Sequence, residues 1–289
     1  MVTKSVSELL QYGLLHLTFS SDTPSLDAEV LLAFVLNKDR AWLIAHRTDL
    51  ISQSDQERYE ECILRRKESE PVAYITGVRE FYGLDFFVTP SVLIPRPETE
   101  LLVSQTLKCI ETQAKKKKKL TLLDLGTGSG CIAITLAKKS NVHITAIDLS
   151  TSALDVAKQN AEAHGVSNQI TFVSGSWFEP VEGEKFDIIA SNPPYVSKSE
   201  SLAKDLDFEP ESALFADEEG LSDLQFIMMN CTKYLNTNGA LFLECGHDQA
   251  EKIRTLYEEC RKKGFLADKI ELTFHTDLQG IERVAALLH

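Results

Sequence analysis

Leu122-Leu123-Asp124-Leu125-Gly126-Thr127-Gly128-Ser129-Gly130, running into Cys131-Ile132-Ala133-Ile134-Thr135-Leu136-Ala137, decides how this chain folds. A short apolar run meets a glycine-rich turn, and the turn opens directly into a helix-forming segment. Glycines let the backbone approach a ligand closely, and a helix N-terminus presents N–H groups that have no partner inside the helix. Asp148 ends the next apolar run, 22 residues after Gly126. An acidic side chain at that distance is suited to hydrogen-bonding ribose hydroxyls. Strand, turn, helix, strand and acid in this order predict a nucleotide-type cofactor site. A dinucleotide site favours Gly-x-Gly-x-x-Gly, and here the third glycine comes one residue early. No Gly-Lys-Ser/Thr follows, so a triphosphate loop does not fit. Spacing alone leaves dinucleotide and adenosyl ligands open.

The alternation continues outward from this segment. Apolar runs at 120–125, 143–148, 169–174, 185–191 and 239–245 read as strands, and 129–139, 151–164, 221–236 and 248–263 read as helices. That pattern predicts a parallel sheet covered on both faces. Segments 269–275 and 281–288, joined by a short polar loop around Gly280, read as an antiparallel pair at one edge. The fold class is therefore α/β: a Rossmann-like, seven-stranded, mostly parallel sheet with an antiparallel C-terminal edge. Upstream, residues 1–71 read as a small helical bundle of three to five helices. Ser5-Val6-Ser7-Glu8 has the form of a capping box, and Leu9, Leu10, Leu14, Leu15 and Leu17 follow as a helical stripe. A second helix starts at Asp22-Thr23-Pro24 and turns Ala28, Val30, Leu31, Leu32 and Val35 to a core; Trp42, Leu43 and Ile44 precede a polar helix over 54–67. Residues 72–97 read as a β-hairpin linker, with Phe81, Tyr82, Phe86 and Phe87 around Gly83, and 98–289 as the cofactor-binding domain.

Composition narrows the function. The chain of 289 residues carries a net charge of −13, and a protein that grips a phosphate backbone normally has a basic face. The only basic block, Lys115–Lys119, reads as a solvated linker ahead of a strand. No apolar stretch reaches the roughly 20 residues needed to span a bilayer, and the first residues lack a signal-peptide core, so a cytoplasmic protein is expected. The six cysteines show no Cys-x-x-Cys spacing and read as buried thiols; the seven histidines show no His-x-x-x-His pattern, and no metal site is expected.

Asn192-Pro193-Pro194-Tyr195 follows the apolar run Phe186–Ser191. Two prolines fix their own backbone angles, remove two N–H donors and keep Asn192 out of the helical region. The carbonyls of Asn192 and Pro193 and the Asn192 amide oxygen are thereby available as acceptors for a planar NH2 group. Pro194 and Tyr195 complete the substrate slot, with the Tyr195 ring as its wall. Asn192, Pro193 and Tyr195 are the candidate catalytic residues. No strong base is required.

Asp-x-Gly-x-Gly-x-Gly at 124–130, Asp148 and Asn192–Tyr195 together resemble the class I S-adenosylmethionine-dependent methyltransferases, and the last motif resembles their amino- and amide-nitrogen-modifying branch. Nearly the whole chain is similar to the protein-(glutamine-N5) methyltransferases of the HemK/PrmC type. The likeness includes Thr76–Phe81, Leu93-Ile94-Pro95-Arg96-Pro97-Glu98-Thr99-Glu100, Trp177-Phe178, Phe208-Glu209-Pro210 with Ala213-Leu214, and Gly280-x-x-Arg283-Val284. The resemblance implies S-adenosylmethionine as cofactor, S-adenosylhomocysteine as product and no metal. It implies methylation of the glutamine in the Gly-Gly-Gln motif of class I peptide chain release factors, in translation termination. The expected partner is a protein rather than a nucleic acid or a membrane, and the expected form is a monomer. Gly126, Thr127, Gly128, Ser129 and Gly130 would then pass against the methionine end of the cofactor. Asp148 would bind its ribose, Trp177 would lie near adenine, and Asn192 would bridge cofactor and substrate. Ser176 departs from the acidic residue that often precedes the Trp-Phe pair, which puts that adenine contact in doubt. The helical N-terminal domain is expected to recognise the protein substrate. A glutamine of a ribosomal protein, or adenine N6 or guanine N2 of a nucleic acid, would use similar chemistry, though the acidic balance counts against the latter. A silent binding module sits poorly with the intact glycine turn, Asp148 and tetrapeptide.

Overall fold

The computed structural model of the chain describes residues 3–197, 204–267 and 269–288. The chain divides into two units, Met1–Val78 with Leu202–Phe208, and Arg79–Ser201 with Glu209–His289. The first holds α1 (Val6–Leu17), α2 (Pro24–Leu36), α3 (Arg40–Ala45), α4 (Gln53–Lys67) and α5 (Val72–Thr76). At the start of α1 the Ser5 hydroxyl accepts from the Glu8 N–H, and the Glu8 carboxylate accepts from the Ser5 N–H at 2.7 Å. Such a cap is worth about 1 kcal/mol over alanine. The leucine stripe is corrected. Val6, Leu9, Gly13 and Leu17 face the core, whereas Leu14 and Leu15 are 40% and 65% exposed. A Cβ on Gly13 would stand 2.1 Å from Tyr59 Oη and 2.8 Å from the Ala28 Cβ. α1 is therefore rotated to set its bare backbone where α2 and α4 press closest, and two leucines turn outward as a result. In α2, Ala28, Leu31, Leu32 and Val35 are buried and Val30 is half-buried; Leu43 of α3 is buried while Ile44 is exposed.

The sequence of the second unit sets up its layers in order. β1 (Val78–Phe81) and β2 (Leu84–Phe87) form the hairpin, turning through Tyr82 and Gly83 at φ 55° and 75°. Two consecutive positive φ values are the mark of the tight two-residue turn that matches strand twist. α6 (Thr99–Ala114), β3 (Thr121–Leu125), α7 (Cys131–Lys139), β4 (His143–Asp148), α8 (Thr151–Ala163), β5 (Ile170–Ser174) and β6 (Phe186–Ser191) follow. Next come β7 (Val196–Ser197), α9 (Glu211–Leu214), β8 (Phe215–Ala216), α10 (Asp217–Gly220), α11 (Ser222–Tyr234), β9 (Leu235–Glu244), α12 (Ala250–Lys262), β10 (Glu271–Thr276) and β11 (Glu282–Leu288). The seven-stranded sheet runs β10-β11-β9-β6-β3-β4-β5. β9, β6, β3, β4 and β5 are parallel, and β11 is antiparallel to both β9 and β10. β7 and β8 pair separately and were not expected; each has only two residues, too short for any period to show.

Alternate residues of each central strand feed opposite cores. Leu122, Ile188 and Phe242 join Phe81 and Phe86 of the hairpin and the inner face of α7. Leu123, Ile189 and Leu241 join α11 and α12. Strands buried on both faces read as continuous apolar runs, which is why their limits were visible in sequence. All six cysteines are free thiols, five buried and Cys109 half-buried.

Asp187 ties the amino ends of the central strands together. Its carboxylate accepts from Lys117 Nζ at 2.7 and 2.8 Å, from the Thr121 N–H at 2.9 Å and from Asn236 Nδ2 at 2.9 Å. The lysine run, read as a solvated linker, thus supplies one structural ion pair. Burial pushes the Asp187 pKa up, but the donors Lys117, Thr121 and Asn236 outweigh it and hold the group below its ordinary range. A carboxylate depressed on folding stabilises above its unfolded pKa, and that contribution is lost as pH falls through the folded value. Asp187→Asn is expected to cost about 1–3 kcal/mol at neutral pH. In urea unfolding, the gap to wild type should close as pH drops below about 4; a gap that persists there would contradict this account.

Candidate active site

β3 leads through α7 to β4 on one side, while β6 lies on its other side. Crevices in open parallel sheets form beyond the carboxyl ends of the strands at such a reversal. The turn after β3 is fastened across it: the N–H groups of Gly126 and Thr127 both donate to the Ile147 carbonyl, at 2.9 Å each. Gly128 (φ 55°) donates its N–H to Asp148 Oδ2 at 2.8 Å, and the Ser150 N–H donates to Oδ1 at 2.9 Å. Burial raises the Asp148 pKa against the pull of these donors. A Cβ at Gly128 would meet nothing within 4 Å, so the backbone lies open to a ligand there. At Gly130 (φ 82°) a Cβ would stand 2.7 Å from Ile134 Cδ1 and 3.2 Å from the Ala157 Cβ. That glycine serves the packing of α7 on α8.

These features border a cavity of about 300 Å³. Gly126, Gly128, Asp148, Ser176, Trp177, Asn192 and Pro194 line it. Trp177 adopts φ 45°, and its ring stands 3.8 Å from where a Gly126 Cβ would be. Asn192 donates from Nδ2 to Thr99 Oγ1 at 3.2 Å. Among the described residues no donor reaches Asn192 Oδ1. Thr127, Ser129, Gly130, Pro193 and Tyr195 are not in the lining. Thr127 instead donates from Oγ1 to Asp124 Oδ2 at 2.7 Å beneath the turn. Asp124 is fully buried, which pushes its pKa up to about 7, and its Oδ1 has no partner. The Tyr195 ring packs into the core shared with α11, and its hydroxyl donates to Glu244 Oε1 at 3.4 Å.

Ser91, Val92, Leu93, Ser150, Pro210, Ser212, Ala213 and Asp223 also line the cavity. Of these, Leu93, Pro210 and Ala213 lay in stretches singled out by their likeness, and the rest left no signal. Glu209, beside Pro210, is buried; it accepts from the Ile94 N–H at 3.0 Å and pairs with Arg96 at 2.5 Å, fixing the segment that carries Leu93. The donor set suits an adenosyl group. Asp148 keeps acceptor capacity for hydroxyls after its two backbone bonds, open glycine backbone lies beside it, and an indole ring covers the turn. Among the described residues no three or more His, Cys, Asp or Glu side chains are grouped to hold a metal.

Asn160 of α8 secures the turn from behind. Its Nδ2 donates to the carbonyls of Ser129 and Phe87 at 2.9 Å each, and its Oδ1 accepts from the Phe87 N–H at 2.8 Å. A lone asparagine on a helix carries no sequence signal for this role. Asn160→Ala leaves the buried Ser129 carbonyl and the two half-buried backbone groups of Phe87 without this partner, at about 1–3 kcal/mol where water cannot reach. We expect a destabilisation of at least about 2 kcal/mol in denaturant titration; a loss under about 0.5 kcal/mol, the range of ordinary surface changes, would show that the turn does not depend on it.

Comparison with known proteins agrees with this geometry. Residues 8–77 match the PrmC N-terminal domain and 116–283 a methyltransferase domain. The chain is 38% identical over 285 residues to the release factor glutamine methyltransferase of Aliivibrio fischeri, covering 97% of this chain and 96% of that protein. It is 40% identical over 283 residues to that of Coxiella burnetii, covering 98% and 95%. A bifunctional methyltransferase of Rickettsia typhi is 38% identical over 90% of this chain, and the chain spans about half, 52%, of its length. The catalytic domain of human METTL16, solved with an RNA hairpin, shares the fold with a TM-score of 0.55 at 17% identity, covering 84% of each chain.

Proposed function

This chain belongs to the release factor glutamine methyltransferases, and on that premise we propose that it methylates the side-chain amide nitrogen, N5, of the glutamine in the Gly-Gly-Gln motif of class I peptide chain release factors. The observation that carries the reading is Asn192, whose amide oxygen is uncommitted on the wall of the cavity that also holds Asp148 and the open glycine turn. S-adenosylmethionine, bound there, supplies a methyl group on a positively charged sulfur. Asp148 holds the ribose, Gly126 and Gly128 let the methionine end pass close, and Trp177 with Ser176 borders the adenine.

A glutamine amide nitrogen is a weak nucleophile because its lone pair is delocalised into the carbonyl. Asn192 Oδ1 and the Pro193 carbonyl take its two hydrogens and aim the nitrogen at the methyl carbon. As the N–C bond forms and the C–S bond breaks, positive charge develops on the nitrogen, and the same acceptors stabilise it. Orientation of this kind supplies up to roughly 7–11 kcal/mol in favourable cases. The helical unit holds none of the cavity residues, which supports giving it recognition of the folded factor. Cytoplasmic action as a monomer completes the proposal; no helix among the described residues is long and apolar enough to cross a membrane.

Asn192→Ala is expected to lower transfer to a release factor by at least about 100-fold, with the thermal transition kept; wild-type turnover would sink the mechanism. Asp148→Asn should weaken cofactor binding about 10–100-fold in calorimetry, the worth of a charged hydrogen bond. Labelled cofactor offered in parallel with release factor, release factor whose target glutamine is glutamate, ribosomes and DNA should mark the first alone. Label on ribosomes or DNA instead would replace the substrate.

A further inference from the structure

We propose, on the cofactor reading above, that Asp223 selects the base of S-adenosylmethionine by accepting a hydrogen bond from the adenine amino group. The order of the strands sets the direction in which the ligand lies. β6, β3, β4 and β5 stand side by side in that order. The crevice beyond their carboxyl ends therefore meets Asn192 after β6, Gly126 and Gly128 after β3, Asp148 at the end of β4, and Ser176 and Trp177 after β5. Transfer to a substrate held by Asn192 requires the sulfonium methyl at the β6 end. With the ribose on Asp148, the base is carried on toward the exit of β5.

α11 packs against that exit. The Phe226 ring lies 6.4 Å from that of Phe178, and the Tyr234 ring stacks on Phe178 at 4.3 Å. Leu224 and Trp177 belong to the same core. Asp223, in the first turn of α11, thus lines the cavity together with Ser176 and Trp177. Among the described residues the lining holds two carboxylates, Asp148 and Asp223, and no lysine or arginine. Asp223 is half-buried. Burial raises its pKa against the pull of the Trp177 indole, and Asp217 adds to the rise. A ligand N–H at this carboxylate would return part of the hydrogen bonding that burial removes.

The choice of base follows from the chemistry of the acceptor. An ionised carboxylate only accepts, whereas the Ser176 hydroxyl can donate or accept. Ser176 alone would take a 6-amino or a 6-oxo purine without preference. Asp223 meets an amino group with an acceptor, but an oxo group with another electron-rich oxygen.

Calorimetry with S-adenosylhomocysteine and its 6-oxo counterpart, S-inosylhomocysteine, tests this without any methyl transfer. Wild type should bind the amino ligand about tenfold or more tightly, the worth of a hydrogen bond to a charged group. Asp223→Asn brings an NH2 that can meet the oxo group, and Asp223→Ala removes the carboxylate. In both, the ratio of the two Kd values should fall toward unity with the thermal transition kept. Ser176→Ala should keep the wild-type ratio. A change that merely disturbs the fold weakens both ligands together and leaves the ratio alone. An unchanged ratio in the Asp223 variants, or a collapse in Ser176→Ala instead, would overturn the inference. Equal weakening of both ligands in Asp223→Asn would also overturn it, and would assign the carboxylate to another part of the ligand. Wild type that binds neither ligand would refute the cofactor reading itself, and the inference with it.

Discussion

Two N–H groups, those of Gly126 and Thr127, end on the single carbonyl of Ile147 at 2.9 Å, and the geometry of the site descends from that fastening. It ties the exit of β3 to the exit of β4 before any side chain is involved. Asp148, the next residue, is then placed to receive the Gly128 N–H, and the left-handed glycine conformations are held by bonds on both sides. Asn160 grips the far end of the turn through the Ser129 carbonyl. A loop so completely hydrogen-bonded has little left to order when a ligand arrives. Preorganisation of that kind reduces what binding must spend on conformational entropy.

The two ends of the sheet treat buried carboxylates differently. At the amino ends, Asp187 has a lysine, an amide and a backbone donor, and its pKa falls. At the carboxyl ends, burial pushes Asp124 and Glu244 up to about 7 each, and each leaves one oxygen without a partner. Fully compensated charge serves the fold; under-compensated charge lies near the cavity. Proteins commonly depart from complete polar satisfaction where they function.

Much of the domain was legible because its strands are buried on both faces and its helices alternate with them. The limits expected for β4, 143–148, coincide with the observed ones, and β3, β5 and β6 begin one residue later than expected. The leucines of α1 misled for a physical reason: what faces the core there is a glycine, and apolar counting gives glycine no weight. Lys117 was hidden inside a run of five lysines that are all exposed, so nothing in the run marks the one that pairs with Asp187. Asn160, Thr99 and Glu244 were hidden more deeply. Each is a single polar residue whose function lies in a partner far along the chain, 93 residues away for Asn192 and Thr99. No local period or spacing encodes such a pairing.

The tetrapeptide shows why chemistry can be legible while its support is not. Pro193 and Pro194 have no N–H, so that stretch cannot be held by backbone donors of its own, although the prolines stiffen it. Side chains from elsewhere must do the holding. Thr99 takes the Asn192 amide, Gln249 Nε2 donates to the Tyr195 carbonyl at 2.9 Å, and Glu244 takes the Tyr195 hydroxyl. Gly220 leaves room for this arrangement, since a Cβ there would stand 2.1 Å from the Tyr195 carbonyl oxygen. Tyr195, expected as a wall of the substrate slot, therefore acts in this structure as an anchor turned into the core. The same prolines that free the acceptors for a substrate oblige the rest of the domain to fix them in place.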